Sequence, residues 1–247
     1  TNDLRLTTKK MAGAKETPRQ KMIGMMYLVL TAMLALQVSA ALIEKFTLLN
    51  RSLESANTVA NQNNEGAVTS IKETVAKSSN PALYADVVRK ASEVRQQTNA
   101  VIGEIDALKN EIVETAGGGM SEDGTSVKNP QEEEKVAILM MGNGKNGKAY
   151  PLKQRLNSFV KTLEGYADPG TKFAPLALDG REDAIANRSA DQRRKDFAEL
   201  NFAQTPVPAA LAVLSQKESE VRRIEGETLD YLATKVGAQD VKFDKIM

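Results

Sequence analysis

The chain has 247 residues with 33 Lys and Arg against 32 Asp and Glu, and this near balance gives no strong case for nucleic-acid binding. It contains no Cys and no His, which excludes a disulfide framework, a thiolate zinc site, Ser-His-Asp or Cys-His catalysis and the HExxH metalloproteases. No acid–base constellation or nucleotide-phosphate loop emerges either, so we predict a protein that is not an enzyme and needs no cofactor or metal.

The most apolar stretch of the chain lies near the N-terminus. Residues 22–43 hold 22 positions without a formal charge, and as a helix they would extend about 33 Å, enough to cross a bilayer core. The string TPRQ at 17–20 fits a capping box, with Pro18 at the first helical position. We therefore predict a cytoplasmic tail at 1–17 and a transmembrane helix at 18–43.

The charges around this span predict its orientation. Six Lys and Arg precede it, whereas its far flank is roughly balanced, so the N-terminus is expected in the cytoplasm of a bacterium and the body in the periplasm. Residues 1–10 lack periodicity and are predicted to be disordered. A cleaved signal peptide is the alternative, because Val-Ser-Ala at 38–40 resembles a cleavage site. The length of the apolar region and the absence of a following helix breaker favour a retained span.

Four residues of the predicted membrane helix are candidates for contacts with neighbouring helices. Arg19 lies in the first turn, where the helix dipole disfavours a cation, so it either snorkels to headgroups or pairs with a carboxylate on another helix. Tyr27 and Thr31 share a face, although an aromatic belt and a bond to the helix backbone are the respective alternatives. Gly24 permits close helix approach and favours a parallel homodimer.

Residues 44–247 are predicted to form a periplasmic helical bundle, giving an all-α fold. The first helix should continue to Asn80-Pro81, with the polar stretch 57–66 fraying its pattern. A second helix over 83–114 should return antiparallel to it. It carries a heptad stripe made by Val87, Ala91, Val94, Thr98, Val101, Ile105, Leu108 and Ile112.

Four further helices are predicted in the remainder of the chain. They lie at 135–141, 150–166, 191–199 and 206–236, the last capped by Gly237. Residues 117–133 and 171–190 are predicted to be loops. The glycine- and lysine-rich run at 142–148 lacks the spacing of a nucleotide motif, so it is predicted to be a flexible turn.

Two strings resemble the GldM/PorM family. They are MAGAKETPRQKMIGMMYLVLTAMLALQVS at 11–39 and FAELNFAQTPVPAALAVLSQKESEVRRIEGETLDYL at 197–232. The combination of TPRQKM with the following YLV and LAL is more specific than a generic membrane-helix composition. The resemblance implies the membrane segment and first periplasmic domain of proteins with further β-rich periplasmic domains, so we expect this chain to be part of a longer protein.

The resemblance implies a proton-powered inner-membrane motor of type IX secretion and gliding motility. In that family two copies lie within a ring of five GldL subunits, a multi-span partner with an intramembrane glutamate. The implied roles are an ion pair between Arg19 and that glutamate, a Tyr27 contact in the same interface, and binding of further secretion components through the missing domains. From the residues alone, the rival is a single-span periplasmic sensor or adaptor protein.

Overall fold

The computed structural model describes residues 18–237, except for the side chains of residues 32–39. The predicted tail at 1–17, its disordered portion and the predicted Thr17 cap therefore lie outside the described residues. The chain divides into two compact units, and the second begins at Ile43.

Regular secondary structure in the described part of the chain is entirely helical, which confirms the predicted all-α class for that part. The only β pairing there is an isolated antiparallel bridge between Met120 and Val127, within the loop predicted at 117–133.

Helix α1 spans Pro18–Lys77 and has 60 residues. Pro18 is the first described residue and is already helical, which is compatible with a proline at the first helical position because its missing N–H would be unpaired there anyway. The helix ends shortly before Asn80-Pro81, since a residue preceding proline is disfavoured in a helix. The helix is continuous through 57–66 as predicted, and the polar residues that interrupt its apolar pattern there include Asn57 and Asn64, which are only 2% and 7% exposed.

Helix α2, Ala85–Thr115, follows a short 3₁₀ helix at Pro81–Tyr84. The heptad stripe predicted for it is confirmed as its core face. All members of the stripe are buried except Val87 and Leu108, which are partly buried against the same core.

The remaining helices are α3 at Glu134–Met141, α4 at Ala149–Glu164, α5 at Phe197–Phe202 and α6 at Val207–Lys235. Three of them match the predicted ranges closely, and the left-handed φ of 71° at Gly237 agrees with the predicted cap. The helix predicted at 191–199 was wrong. The chain instead forms a 3₁₀ turn at Gln192–Arg194, and α5 begins only after Asp196, which caps it in a capping box.

The order of the cross-helix contacts gives the directions of the helices in the second unit. α2 runs antiparallel to α4 and α6, while α1 runs parallel to α6, so α1 and α2 are antiparallel as predicted. These directions follow from Lys148–Glu111 and Arg155–Glu104 between α4 and α2, Lys109–Glu218 and Arg95–Glu225 between α2 and α6, and Asn50–Ser215 and Asn64–Glu225 between α1 and α6.

The turn at 142–148 is closely packed. A Cβ placed on Gly147 would lie 2.3 Å from the carbonyl oxygen of Met140, so only glycine fits there. Lys145 in the same turn pairs with Asp196 at 2.7 Å. These contacts give Gly147 and Lys145 structural roles in the turn between α3 and α4.

Among the residues that the structure describes, no helix has both the length and the apolar character required to cross a membrane.

A buried hydroxyl without a partner generates a stability prediction. Thr98 is fully buried, and its hydroxyl makes no hydrogen bond with a described residue, whereas the equally buried Thr228 donates to the carbonyl of Ile224 at 2.8 Å. An unpaired buried hydroxyl costs about 1–3 kcal/mol. We therefore expect Thr98→Val to raise the free energy of unfolding by about 1 kcal/mol, measured by urea denaturation followed by circular dichroism.

Thr228→Val is the matched control for this prediction. Its hydroxyl already has a partner, so its removal recovers no unsatisfied group and should give no comparable gain. A stabilisation by Thr228→Val equal to that by Thr98→Val would contradict the explanation.

Candidate functional site

The four predicted membrane-helix residues all lie on α1 in the first unit. Arg19 is exposed and makes no ion pair with a described residue, and the Tyr27 side chain is 70% exposed. A Cβ on Gly24 would meet nothing within 4 Å, so no described part of the chain makes use of its small size. Thr31 donates its hydroxyl to the carbonyls of Tyr27 and Leu28 at 2.9 and 3.0 Å, which is the backbone alternative considered for it.

The same part of α1 exposes apolar side chains on every face. The exposed fractions of the large apolar residues lie between 52% and 70%, for Met22, Ile23, Met25, Met26, Tyr27, Leu28, Val29 and Leu30. A helix that is apolar all round is normally covered by lipid or by other helices. This segment therefore requires a cover that the described chain does not provide.

In the second unit α1 is unusual for a different reason, because its buried face carries asparagines. Asn50, Asn57 and Asn64 are spaced seven residues apart and are 8%, 2% and 7% exposed. The next position in this series, Ile71, is fully buried and apolar. Residues seven apart lie on nearly the same face of a helix, so the three asparagines form one line against α6.

The first two asparagines bind α6 through its serines. The hydroxyl of Ser215 donates to the side-chain oxygen of Asn50 at 2.8 Å. Asn57 donates to the carbonyl of Ser215 at 2.9 Å and accepts from the hydroxyl of Ser219 at 2.6 Å. Each amide therefore meets a specific atom on α6.

The third asparagine meets a buried carboxylate. Asn64 donates to the Glu225 carboxylate at 2.7 Å and to the carbonyl of Arg222 at 2.9 Å. Glu225 is fully buried, and Arg95 from α2 donates to both of its oxygens at 3.0 and 3.2 Å. This one carboxylate thus connects three helices.

A second buried ion pair continues the network along α6. The Arg222 guanidinium donates two hydrogen bonds to Glu218, at 3.0 and 2.8 Å, and a third to the side-chain oxygen of Asn61 at 2.7 Å. The other carboxylate oxygen of Glu218 accepts from Lys109 of α2 at 2.7 Å. Asn61 also accepts from Arg95, which joins the two ion pairs into one network.

We call this whole network the polar seam. It consists of Asn50, Asn57, Asn61 and Asn64 on α1, Ser215, Glu218, Ser219, Arg222 and Glu225 on α6, and Arg95 and Lys109 on α2. Because its buried charges are paired and hydrogen-bonded, it avoids the penalty of an isolated buried charge.

The carboxyl groups of the seam have different pKa shifts. Burial raises the pKa of Glu225, and the Asn64 hydrogen bond and Arg95 only partly oppose this. Burial alone would also raise the pKa of Glu218, but Lys109 and Arg222 more than offset it and leave the pKa lowered. Glu218 is therefore the seam carboxyl whose ionised form the fold favours.

One end of the seam borders an open groove of about 1070 Å³. Its walls come from residues 43–58 of α1, the last turns of α2, the loop after α2 and the start of α6. Apolar Leu48 and Leu211 line it together with the charged Lys109 and Glu218. Among the described residues no group of three or more acidic side chains is arranged to hold a metal ion.

The sequence analysis missed the seam because it treated 57–66 as a polar interruption. A signal was present in the sequence. Three asparagines recur at heptad spacing, in line with the apolar Ile71, and α6 carries Ser215, Glu218, Arg222 and Glu225 at alternating spacings of three and four. Two helices that each carry polar residues at helical spacing can pack together through a buried polar interface.

The lowered pKa of Glu218 predicts a pH dependence of stability. A carboxyl whose folded pKa lies below its unfolded value of 4.5 stabilises the fold above that pH, and the contribution is lost as the pH falls through the folded pKa. We expect Glu218→Gln to cost roughly 3 kcal/mol at neutral pH, because it leaves Lys109 and Arg222 without their buried counter-charge. The variant should also lose less stability than the wild type on acidification, measured by urea denaturation from pH 7 to pH 3.

Glu104→Gln is the matched control, since it removes an exposed carboxylate paired with Arg155 at the surface. Such pairs contribute little, so this variant should follow the wild-type pH profile. An unchanged acid dependence in Glu218→Gln would contradict the assignment.

Comparison with protein-family models matches residues 42–235 to the GldM N-terminal domain, which is more than half of the chain. None of the curated proteins matched the chain. The matched range begins beside the start of the second unit and ends with α6, so it covers the helical bundle and the polar seam. Arg19, Gly24, Tyr27 and Thr31 precede it. The chain belongs to the GldM family and carries its N-terminal domain.

Proposed function

We propose that this protein is an inner-membrane motor subunit of type IX secretion and gliding motility, which converts proton-motive force into torque together with a GldL-type multi-span partner. Membership of the GldM family indicates a component of this machinery. The observation that carries the finer proposal is the all-round exposure of apolar side chains over residues 22–30 of α1. Lipid and partner helices are the cover that such a helix needs.

In this proposal residues 18–43 cross the inner membrane with the N-terminus in the cytoplasm. The excess of Lys and Arg before residue 22 supports this orientation. The helical bundle then lies in the periplasm, where it acts as a mechanical component and not as an enzyme. Further secretion components would bind through C-terminal domains outside this chain.

Arg19 is the residue through which proton flow would act. Its guanidinium has no carboxylate partner among the described residues, which leaves it available to a glutamate within the membrane partner. Protonation of that glutamate would remove the charge that Arg19 pairs with. One proton crossing about 100 mV supplies about 2.3 kcal/mol, comparable with the loss of one modest ion pair.

The unequal numbers of the two subunits would convert this charge switch into stepwise rotation. Two helices of this protein within five partner subunits cannot satisfy every partner carboxylate at once. Successive protonation would then favour rotation of the pair from one site to the next. Tyr27 and Gly24 would lie in the same helix–helix interfaces. There the exposed phenol of Tyr27 would contact the partner, and the small Gly24 would permit close helix approach.

The exposed face of α1 in the second unit supports a parallel homodimer. An uncharged line of exposed residues at alternating spacings of three and four runs along this helix. We call it the outer stripe; it consists of Leu49, Ser52, Ala56, Val59, Asn63 and Gly66. A Cβ on Gly66 would meet nothing within 4 Å, so the stripe is open to a second copy.

The homodimer is tested by cross-linking, because the chain has no cysteine of its own. We expect Val59→Cys to form a disulfide between two copies in membranes, since the two outer stripes face each other. Glu65→Cys, which is also exposed but lies on another face, is the control and should stay monomeric. Equal yields from the two variants would contradict the outer stripe as the dimer interface.

The motor role is tested by substitution of Arg19. We expect Arg19→Ala to abolish secretion and gliding while the membrane complex still co-purifies, because the apolar helix contacts remain. Arg19→Lys should also impair both activities several-fold, since an ammonium lacks the planar fork of the guanidinium. Lys21→Ala, which removes a nearby exposed charge, should be close to wild type.

Two results would overturn the role of Arg19. Normal secretion by Arg19→Ala would leave the residue as a headgroup anchor, and loss of complex assembly would make it an assembly contact. Purification without any multi-span partner would favour the sensor or adaptor alternative.

A further inference from the structure

We propose that the polar seam is a register lock, which fixes α1 against α6 both along the helix axis and in rotation, so that any displacement of α1 moves the helical bundle with it. The lock itself follows from contacts within the second unit. Its use in transmitting force rests on the proposed motor function.

Apolar packing alone would not fix the position of α1 along α6. A helix with a heptad apolar stripe can shift by seven residues, about 10.5 Å, and present apolar side chains to apolar side chains again. Buried polar residues remove this freedom, because each must meet a particular partner atom.

The contacts of Asn57 illustrate the specificity of the seam. Its nitrogen donates to the Ser215 carbonyl while its oxygen accepts from Ser219, so its two ends are held by two different atoms one turn apart on α6. A shift of one turn, or a rotation of α1, would break both bonds inside a buried interface. The buried amide would then be left without partners.

The residue that follows the asparagine series also opposes a shift by a whole heptad. A shift in one direction would place Asn64 in the fully buried apolar position of Ile71. A shift in the other direction would place Ile71 where Asn64 now donates to the buried Glu225 carboxylate. Both alternatives leave a buried polar group unpaired, so three asparagines followed by an isoleucine define one register.

Helix α2 strengthens the lock from the other side. Arg95 binds Glu225 and also Asn61 of α1, and Lys109 binds Glu218. A movement of α1 relative to α6 would therefore disturb contacts that α2 makes with both helices. This network therefore holds α1, α2 and α6 in one arrangement, because each buried polar group needs its particular partner.

The first test fixes α1 to α6 covalently in the full-length protein. Asn50 and Ser215 are joined by a side-chain hydrogen bond, so Asn50→Cys with Ser215→Cys places two thiols side by side in a chain without other cysteines. We expect the cross-linked protein to support secretion and gliding as well as the reduced protein does. Loss of activity on cross-linking that a reductant restores would mean that α1 slides along α6, and it would overturn the proposal.

The second test weakens the lock. In the same cysteine background, Asn57→Leu with Asn64→Leu should lower the cross-linked fraction by about half, because more than one register is then populated. Secretion should be lost before cross-linking and regained after it, which a misfolded protein would not do. An unchanged cross-linked fraction together with normal secretion would overturn the proposal.

If the double leucine variant does not accumulate, Asn57→Ala alone gives the same comparison and leaves the Arg95–Glu225 pair in place. Gln62→Leu is the matched control, since this residue is exposed and lies outside both the seam and the outer stripe, and it should keep the wild-type cross-linked fraction. The cross-linked fractions decide the lock even if Arg19 proves dispensable, so failure of the motor proposal and failure of the lock are distinguishable.

Discussion

The arrangement of the helical bundle depends on one buried carboxylate, that of Glu225. It is fully removed from solvent, and its partners come from two other helices, Arg95 on α2 and Asn64 on α1. A carboxylate in this environment is tolerated only when its oxygens are matched by donors. The apolar core supplies the general driving force for folding, whereas this pairing selects one arrangement of α1, α2 and α6 from the several that the core would allow.

Helix α1 consequently has an unusual distribution of side chains between residues 49 and 66. Asn50, Asn57 and Asn64 face inward, while the outer stripe, with Leu49 and Val59 about half exposed, faces outward. The hydrophobic effect alone would favour the opposite orientation. The inward face of α6 explains the observed one, because the asparagine face of α1 provides hydrogen-bonding partners for Ser215, Ser219, Arg222 and Glu225.

Periodicity was sufficient to predict those helices whose buried face is apolar. The stripe from Ala91 to Ile112 placed α2 and its core face correctly, and similar stripes placed α4 and α6. The rule failed for 57–66 because a polar residue at a heptad position looks exposed unless its partner is known, and the partners of Asn57 lie 158 and 162 positions away. The predicted roles of Arg19 and Tyr27 depend on a second protein, so no contact within this chain can test them.

The seam and the outer stripe are therefore two consequences of the same constraint. Rotating α1 to bury Leu49 and Val59 would place them against the ion pairs of α6 and would carry the asparagines into solvent. This rotation would leave the buried Glu225 carboxylate without its hydrogen bond from Asn64. The free-energy cost of that loss opposes the gain from burying Leu49 and Val59. Because α6 fixes the orientation of α1 in this way, the outer stripe must remain exposed, where a second copy of the chain can cover it.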